Sequence, residues 1–75
     1  MRYFEIYNSN NHVVNTVGAK NMTDCIRQHA IHLHKGGFLL RYGTYTGKKA
    51  IIYVYTNDIQ QSLTGIYTIK RKDIP

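Results

Sequence analysis

Acidic residues are scarce in this chain of 75 amino acids. It contains ten Lys and Arg but only four Asp and Glu, so its formal net charge is +6. The four acids are Glu5, Asp24, Asp58 and Asp73. Because they are scattered along the chain, no carboxylate pair for acid–base catalysis is indicated. A surface with so few carboxylates attracts polyanions, and we expect the partner to be an anionic macromolecule, either nucleic acid or an acidic protein surface.

Cysteine and long apolar runs are equally rare. The single cysteine, Cys25, excludes an internal disulfide and favours a reducing compartment. The first residues, MRYFEIYN, lack the apolar run of a signal peptide. No segment approaches the roughly 20 apolar residues of a membrane span. The expected location is the cytoplasm, without membrane contact.

Motifs for metal, cofactor or covalent chemistry are incomplete. Cys25, His29 and His32 follow one helical stripe, but structural zinc sites normally draw four ligands from two segments. A dyad of Cys25 and His29 would place the thiol inside a helix on its core side, which is a poor setting for a nucleophile. Gly36-Gly37 lacks the lysine spacing of a phosphate-binding loop. The sequence therefore predicts no metal, no cofactor and no enzymatic activity.

The first half of the chain reads as a hairpin followed by a helix. Residues Arg2–Tyr7 alternate apolar and polar positions, and a turn of asparagines separates them from a second short strand, His12–Val17. The predicted helix runs from Asn21 to Lys35, with Asn21 as its N-cap and Gly36-Gly37 as its stop. Its apolar stripe consists of Met22, Cys25, Ile26, His29, Ala30 and Leu33.

Three further strands are predicted in the second half, at 38–44, 48–56 and 65–72. The turn Tyr45-Thr46-Gly47 fits a three-residue hairpin loop with Gly47 in the left-handed conformation. The whole predicts an α+β fold, with an antiparallel sheet of about five strands and one helix packed on one face, in the order ββαβββ. A chain of this length is expected to form a single compact domain over residues 1–75.

The predicted turn also sorts the side chains between the two sheet faces, because residues opposite each other share a face. It places Tyr42 opposite Ala50 and Leu40 opposite Ile52. One face would carry Phe38, Leu40, Tyr42, Ala50, Ile52 and Val54. The other would carry Leu39, Arg41, Ile51, Tyr53 and Tyr55. A two-residue turn would shift the register by one residue and mix the two sets.

The last predicted strand adds residues to both faces of the sheet. Pairing Thr56 with about Gly65 would bring Lys49 near Lys72. Tyr67 and Ile69 would join the aliphatic face. The aromatic and basic face would gain Ile66, Thr68 and Lys70.

Two surfaces are candidate binding sites. The first is a basic edge, where one strand begins and its neighbour ends, with Tyr45 at the turn beside it. Its cations are Lys48, Lys49, Lys70, Arg71 and Lys72. Like charges gathered at one edge repel, and an anionic partner would relieve that repulsion. Solvent-exposed strand ends also carry lysines for other reasons, including protection against edge-to-edge aggregation.

The second candidate is the sheet face that bears Arg41, Tyr53, Tyr55 and Lys70. Aromatic platforms in a basic setting bind single-stranded nucleic acid by stacking. Leu39, Ile51 and Ile66 make the same face apolar, which favours a protein interface or a homodimer. No RNP-like pattern of Lys or Arg, Gly and Phe is present.

The sequence thus predicts a small binding module that contacts nucleic acid or a nucleic-acid-handling machine. The alternative is a protein-binding regulator or inhibitor that blocks a host enzyme or defence system sterically. Richness in Asn, Ile, Lys and Tyr suggests an AT-rich genome, and small proteins of this kind are common among bacteriophage accessory proteins. Such a protein would act in the host cytoplasm.

Overall fold

The computed structural model describes residues 2–33 and 38–72, with side chains for residues 2–28 and 39–72. The elements are β1 (Arg2–Tyr7), β2 (Val13–Ala19), α1 (Met22–Leu33), β3 (Phe38–Tyr45), β4 (Lys49–Thr56) and β5 (Leu63–Lys72). The predicted α+β class and the order ββαβββ are confirmed. Strand β2 begins and ends slightly later than predicted, and β5 begins two residues earlier.

The five described strands form one antiparallel sheet in the order β2-β1-β5-β4-β3. The first and last strands of the chain therefore lie side by side. Their register pairs Ile6 with Ile69 and Phe4 with Arg71. This central contact joins the N-terminal hairpin to the three-strand meander that follows the helix.

Helix α1 begins where its sequence signals place it. The side-chain oxygen Oδ1 of Asn21 accepts a hydrogen bond from the backbone N–H of Asp24 at 2.9 Å, which satisfies one of the exposed amides of the first turn. Asp24 places a negative charge at the positive end of the helix dipole. The predicted stop at Gly36-Gly37 lies outside the described residues.

One sheet face packs against α1, and we call it the helix face. Met22, Cys25 and Ile26 are buried and belong to the same cluster as the buried strand residues. That cluster comprises Phe4, Ile6, Val17, Ala19, Met22, Cys25, Ile26, Ala50, Ile52 and Ile69. Val54 is also buried, and Leu40 and Tyr67 are partly buried against the cluster. Among the predicted core residues, Leu33 and Phe38 have side chains outside the described part.

The turn between β3 and β4 differs from the prediction by one residue. It consists of Thr46-Gly47-Lys48, and the Thr46 hydroxyl oxygen accepts hydrogen bonds from the backbone N–H groups of Lys48 at 3.2 Å and Lys49 at 3.0 Å. No glycine in the described chain has a positive φ, so the left-handed Gly47 was a wrong prediction. The Thr46 side chain supplies the local hydrogen bonds that hold this turn.

The later turn shifts the β3–β4 pairing by two residues. Tyr42 lies opposite Ile52 rather than Ala50, and Leu40 lies opposite Val54. The predicted partners are therefore wrong. The assignment of side chains to faces is nevertheless retained, because a strand repeats its side-chain direction every two residues.

The β4–β5 pairing shows the same offset. Lys49 lies opposite Lys70, not near Lys72, and Val54 lies opposite Gly65. The register is irregular between Val54 and Tyr55, which absorbs the extra residue Thr64 of β5. Tyr67 and Ile69 still lie on the helix face, as predicted, and Lys70 lies on the opposite one.

Candidate binding face

The sheet face opposite α1 carries most of the candidate residues, and we call it the open face. Strand alternation and register place on it Tyr3, Glu5, Tyr7, Leu39, Arg41, Lys49, Ile51, Tyr53, Tyr55, Ile66, Thr68, Lys70 and Lys72. The predicted orientation of Tyr53 and Tyr55, away from the helix, is confirmed. Both are half-buried, because neighbouring side chains and backbone cover part of each ring.

The ring of Tyr53 lies across strand β3. A Cβ atom built on Gly43 would be 3.2 Å from Tyr53 Cε2 and 3.5 Å from its hydroxyl oxygen. The absence of a side chain at Gly43 therefore gives the ring room to lean over the neighbouring strand. This arrangement provides a broad aromatic contact surface.

A cation accompanies the next tyrosine of the same strand. The guanidinium carbon of Arg41 lies 5.6 Å from the centre of the Tyr55 ring, within cation–π distance. Arg41 pairs with Tyr53 across the β3–β4 ladder and is exposed. Arg41, Tyr53 and Tyr55 thus form one group, which we call the β4 platform.

Strand β1 contributes a second aromatic group. Tyr3 is 44% exposed and Tyr7 is half-buried, with Glu5 between them on the same face. The ammonium group of Lys70 lies 5.1 Å from the centre of the Tyr7 ring. Because Tyr3 and Tyr7 share one strand and one face, we call this pair the β1 platform.

Glu5 organises the polar groups around the β1 platform. Its Oε1 atom lies 2.9 Å from Nζ of Lys72 and accepts a hydrogen bond from the Tyr7 hydroxyl at 3.3 Å. Among the open-face residues named above, Glu5 is the sole acid. The remaining open-face cations, Arg41, Lys49 and Lys70, have no carboxylate in a described salt bridge.

Lys49 and Lys70 lie directly opposite each other on β4 and β5. Both are exposed, and both belong to the open face. Like charges directly opposite on a sheet are destabilising. The pair concentrates positive charge on β4 and β5, and Glu5 lies directly opposite Lys70 on β1 in the same row.

The structure divides the predicted basic edge between two faces. Lys49, Lys70 and Lys72 lie on the open face, whereas Arg71 pairs with the core residue Phe4 and lies on the helix face. Lys48 is exposed in the turn, and its carbonyl oxygen accepts a hydrogen bond from the backbone N–H of Arg71 at 2.8 Å. The five cations therefore do not form one surface.

Tyr45 also lies on the helix face. The register is irregular between Tyr42 and Tyr45, and Tyr45 pairs with the buried Ala50. Its hydroxyl group forms a hydrogen bond with the hydroxyl of Thr23 at the start of α1. Its ring meets that of Tyr42 edge to face, with centres 5.2 Å apart. Tyr45 directly precedes the turn that contains Lys48, as predicted, but the bulge directs its side chain to the helix face, away from Lys49 and Lys70.

Sequence reasoning missed Tyr3, Glu5 and Tyr7 as members of this surface. The alternation of β1 already separates them from Phe4 and Ile6. What the sequence did not supply was the strand order, which places β1 beside β5 and so extends the face beyond the meander.

Cys25 is fully buried on the helix side. Burial and, to a smaller extent, the neighbouring carboxylate of Asp24 raise the pKa of its thiol to about 11. The thiol is therefore protonated at neutral pH and is a weak nucleophile. His29 and His32, its predicted companions, have side chains outside the described part.

Within the described residues, no group of three His, Cys, Asp or Glu side chains is arranged to hold a metal ion. The described chain also contains no helix that is long and apolar enough to cross a membrane. No protein-family model, no curated protein and no solved structure matches this chain.

Proposed function

We propose that this protein is a non-enzymatic binding module that holds single-stranded nucleic acid across its open face. One observation carries the proposal. Four tyrosines, Tyr3, Tyr7, Tyr53 and Tyr55, share a sheet face with four cations and a single acid, and no described element covers that face. Rings and cations mixed in this way provide stacking surfaces for bases and counter-charges for phosphates.

The cation–π contacts support the proposal further. Arg41 and Lys70 already lie over tyrosine rings, where they hold the rings in place by contacts of about 0.5–1 kcal/mol. A base that stacks on a ring would move the cation to the ring edge, where it can meet the adjoining phosphate. Stacking of about 1–3 kcal/mol per base exceeds the contact that is lost.

The test compares two tyrosine pairs on opposite faces. Tyr53→Ser with Tyr55→Ser removes the rings of the β4 platform, and Tyr42→Ser with Tyr45→Ser removes two exposed rings from the helix face. Binding of a fluorescein-labelled 12-nucleotide single strand, as DNA and as RNA, is measured by fluorescence anisotropy. A duplex of the same length serves as the comparison ligand.

We expect the open-face variant to lose at least tenfold in affinity and the helix-face variant to stay within about twofold of the wild type. The wild type should prefer the single strand to the duplex. Equal losses in both variants, with both folded by circular dichroism, would refute the proposed face. Absence of binding to every oligonucleotide would refute the proposed function.

A second candidate function is supported by the apolar residues of the same face. Leu39, Ile51 and Ile66 are half-buried and lie among the tyrosines. Such a surface also suits an acidic protein partner, and the module would then act as a regulator that blocks that partner sterically. Pull-down from a lysate with and without nuclease distinguishes the two: a protein partner stays bound after digestion, and its affinity falls less steeply with salt.

A further inference from the structure

The β1 and β4 platforms are set apart on the open face by one strand, β5. Register aligns Tyr7 with Thr68 and Thr68 with Ile51, so Tyr7 lies two strands and two residues away from Tyr53. With about 4.8 Å between strands and about 3.3 Å per residue, the two positions are roughly 12 Å apart. No single base spans that distance.

The four tyrosines follow a stepped path across the open face. Strands β1 and β4 run in the same direction, because each is antiparallel to β5 between them. Against that direction the order is Tyr55, Tyr53, Tyr7 and Tyr3. The same strand geometry gives roughly 7, 12 and 13 Å between successive positions, and roughly 28 Å from first to last.

These spacings match an extended strand of nucleic acid. One strand of a stacked duplex advances 3.4 Å per nucleotide, and an unstacked strand extends to roughly twice that rise. Steps of one, two and two nucleotides therefore connect the four rings. Lys49 and Lys70 lie in the row between Tyr7 and Tyr3, and Glu5, which is opposite Lys70, occupies the same row on β1.

We infer that the open face binds about six nucleotides of unpaired RNA or DNA as a single extended segment, with four bases stacked on the two platforms and the backbone crossing β5 near Thr68, between Tyr53 and Tyr7. This inference rests on the proposed function and adds the length, path and unpaired state of the ligand. A duplex does not satisfy it, since paired and stacked bases present no faces to the rings.

The experiment is a length series. Labelled thymidine and uridine oligonucleotides of 2 to 12 nucleotides are titrated with the wild type, with Tyr3→Thr/Tyr7→Thr and with Tyr53→Thr/Tyr55→Thr. Threonine is chosen because it retains high strand propensity. Each stacked base should contribute on the order of 5- to 100-fold in affinity.

For the wild type we expect affinity to rise steeply up to about six nucleotides and only slowly beyond that length. The steep rise should end at about two nucleotides where only the β4 platform remains and at about three where only the β1 platform remains. Each variant tests the length dependence by itself. If one variant fails to fold, the other still tests the inference. Competition with an unlabelled duplex should leave the wild-type curve unchanged.

The failures of the two proposals are distinguishable. If oligonucleotides bind but the steep rise ends at three nucleotides, or continues beyond ten, the single segment is refuted and the binding face stands. The same conclusion follows if a folded platform variant keeps the wild-type length profile. If no oligonucleotide binds at any length, the proposed function fails, and this inference fails with it.

Discussion

Replacing the opposed lysines, Lys49→Gln with Lys70→Gln, should weaken nucleic-acid binding without weakening the fold. The two side chains face each other across β4 and β5 on the open face. For single strands, each phosphate contact contributes about 0.7 to the slope of log affinity against log salt. Loss of two contacts should therefore reduce that slope by about 1.4.

The size of the effect follows from the slope. Between 1 M and 0.1 M salt, a slope difference of about 1.4 changes affinity by roughly 25-fold. Wild type and variant should therefore bind almost equally at 1 M salt and differ by roughly 25-fold at 0.1 M. Anisotropy titrations at four or five salt concentrations measure both quantities together.

Stability should change little in this variant. Removal of the opposed like charges relieves about 0.2–1 kcal/mol of repulsion. Loss of the Lys70 contact with the Tyr7 ring offsets this by about 0.5–1 kcal/mol. Thermal melts should therefore agree within a few degrees, since 1 kcal/mol corresponds to about 4–8 °C in a domain of this size.

The matched control carries the same charge change on the other side of the molecule. Lys20→Gln with Arg27→Gln also lowers the net charge of +6 by two, and both residues are exposed near α1. If the control loses as much slope as the open-face variant, the lysine pair is not a site and the protein binds through its net charge alone. An unchanged slope in the open-face variant would refute the reasoning outright.

Three further predictions concern single residues. Gly43→Val should tilt the tyrosine ring that lies over it and lower binding several-fold by anisotropy, whereas Gly47→Ala, where a Cβ meets nothing within 4 Å, should not. Glu5→Gln should strengthen oligonucleotide binding at low salt, because it removes the acid of the open face, and Asp24→Asn on the helix should leave binding unchanged. Hydrogen bonds from the Gln61 backbone and the Thr56 side chain lower the pKa of Asp58 below 3.8, so this carboxylate stabilises the fold above that pH and loses its effect as the pH falls through the lower value. The difference in melting temperature between wild type and Asp58→Ala should accordingly shrink from about pH 5 to about pH 2, and a constant difference would contradict this.

Hydrophobic periodicity was sufficient to predict the elements and their faces. The alternation of β1 and the apolar spacing of α1 depend on local geometry, and the structure agrees with both. The face assignments in β3 and β4 were correct even though each predicted partner was two residues off. A register error of two residues leaves each side chain on the same face of the sheet. The alternation of apolar and polar residues therefore predicts the face more reliably than the cross-strand partner.

The exact turn and the bulges could not be read from the sequence. Gly47 suggested a turn with a left-handed residue. In the structure the hydroxyl of Thr46 instead accepts hydrogen bonds from the backbone amides of Lys48 and Lys49, and the turn begins one residue later than predicted. The irregularity between Tyr42 and Tyr45 reverses the direction of Tyr45. Both outcomes depend on competition between local hydrogen bonds that differ little in free energy, which a residue pattern does not rank.

The order of the strands in the sheet was the other feature of the candidate site that could not be predicted from the sequence. Contact between β1 and β5 joins residues about 65 positions apart, and no local signal specifies it. Without it, the β1 tyrosines could not be placed beside the meander. The cations of the basic edge do meet where β4 begins and β5 ends, but they divide between the two faces. Lys70 and Arg71 are adjacent in sequence, and adjacent strand residues point to opposite faces.

The two halves of the open face differ in how their charges are paired. Among the described elements, one helix of 12 residues packs on one face of the sheet and none covers the other. Beside β1, Glu5 forms a salt bridge with Lys72, with 2.9 Å between Oε1 and Nζ. Glu5 is also directly opposite Lys70, whereas Lys49 faces Lys70 across the β4–β5 ladder and has no carboxylate in a described salt bridge. The chain places Lys49 and Lys70 opposite each other on the face that carries the four tyrosines, and an anion would relieve the repulsion between the two lysines.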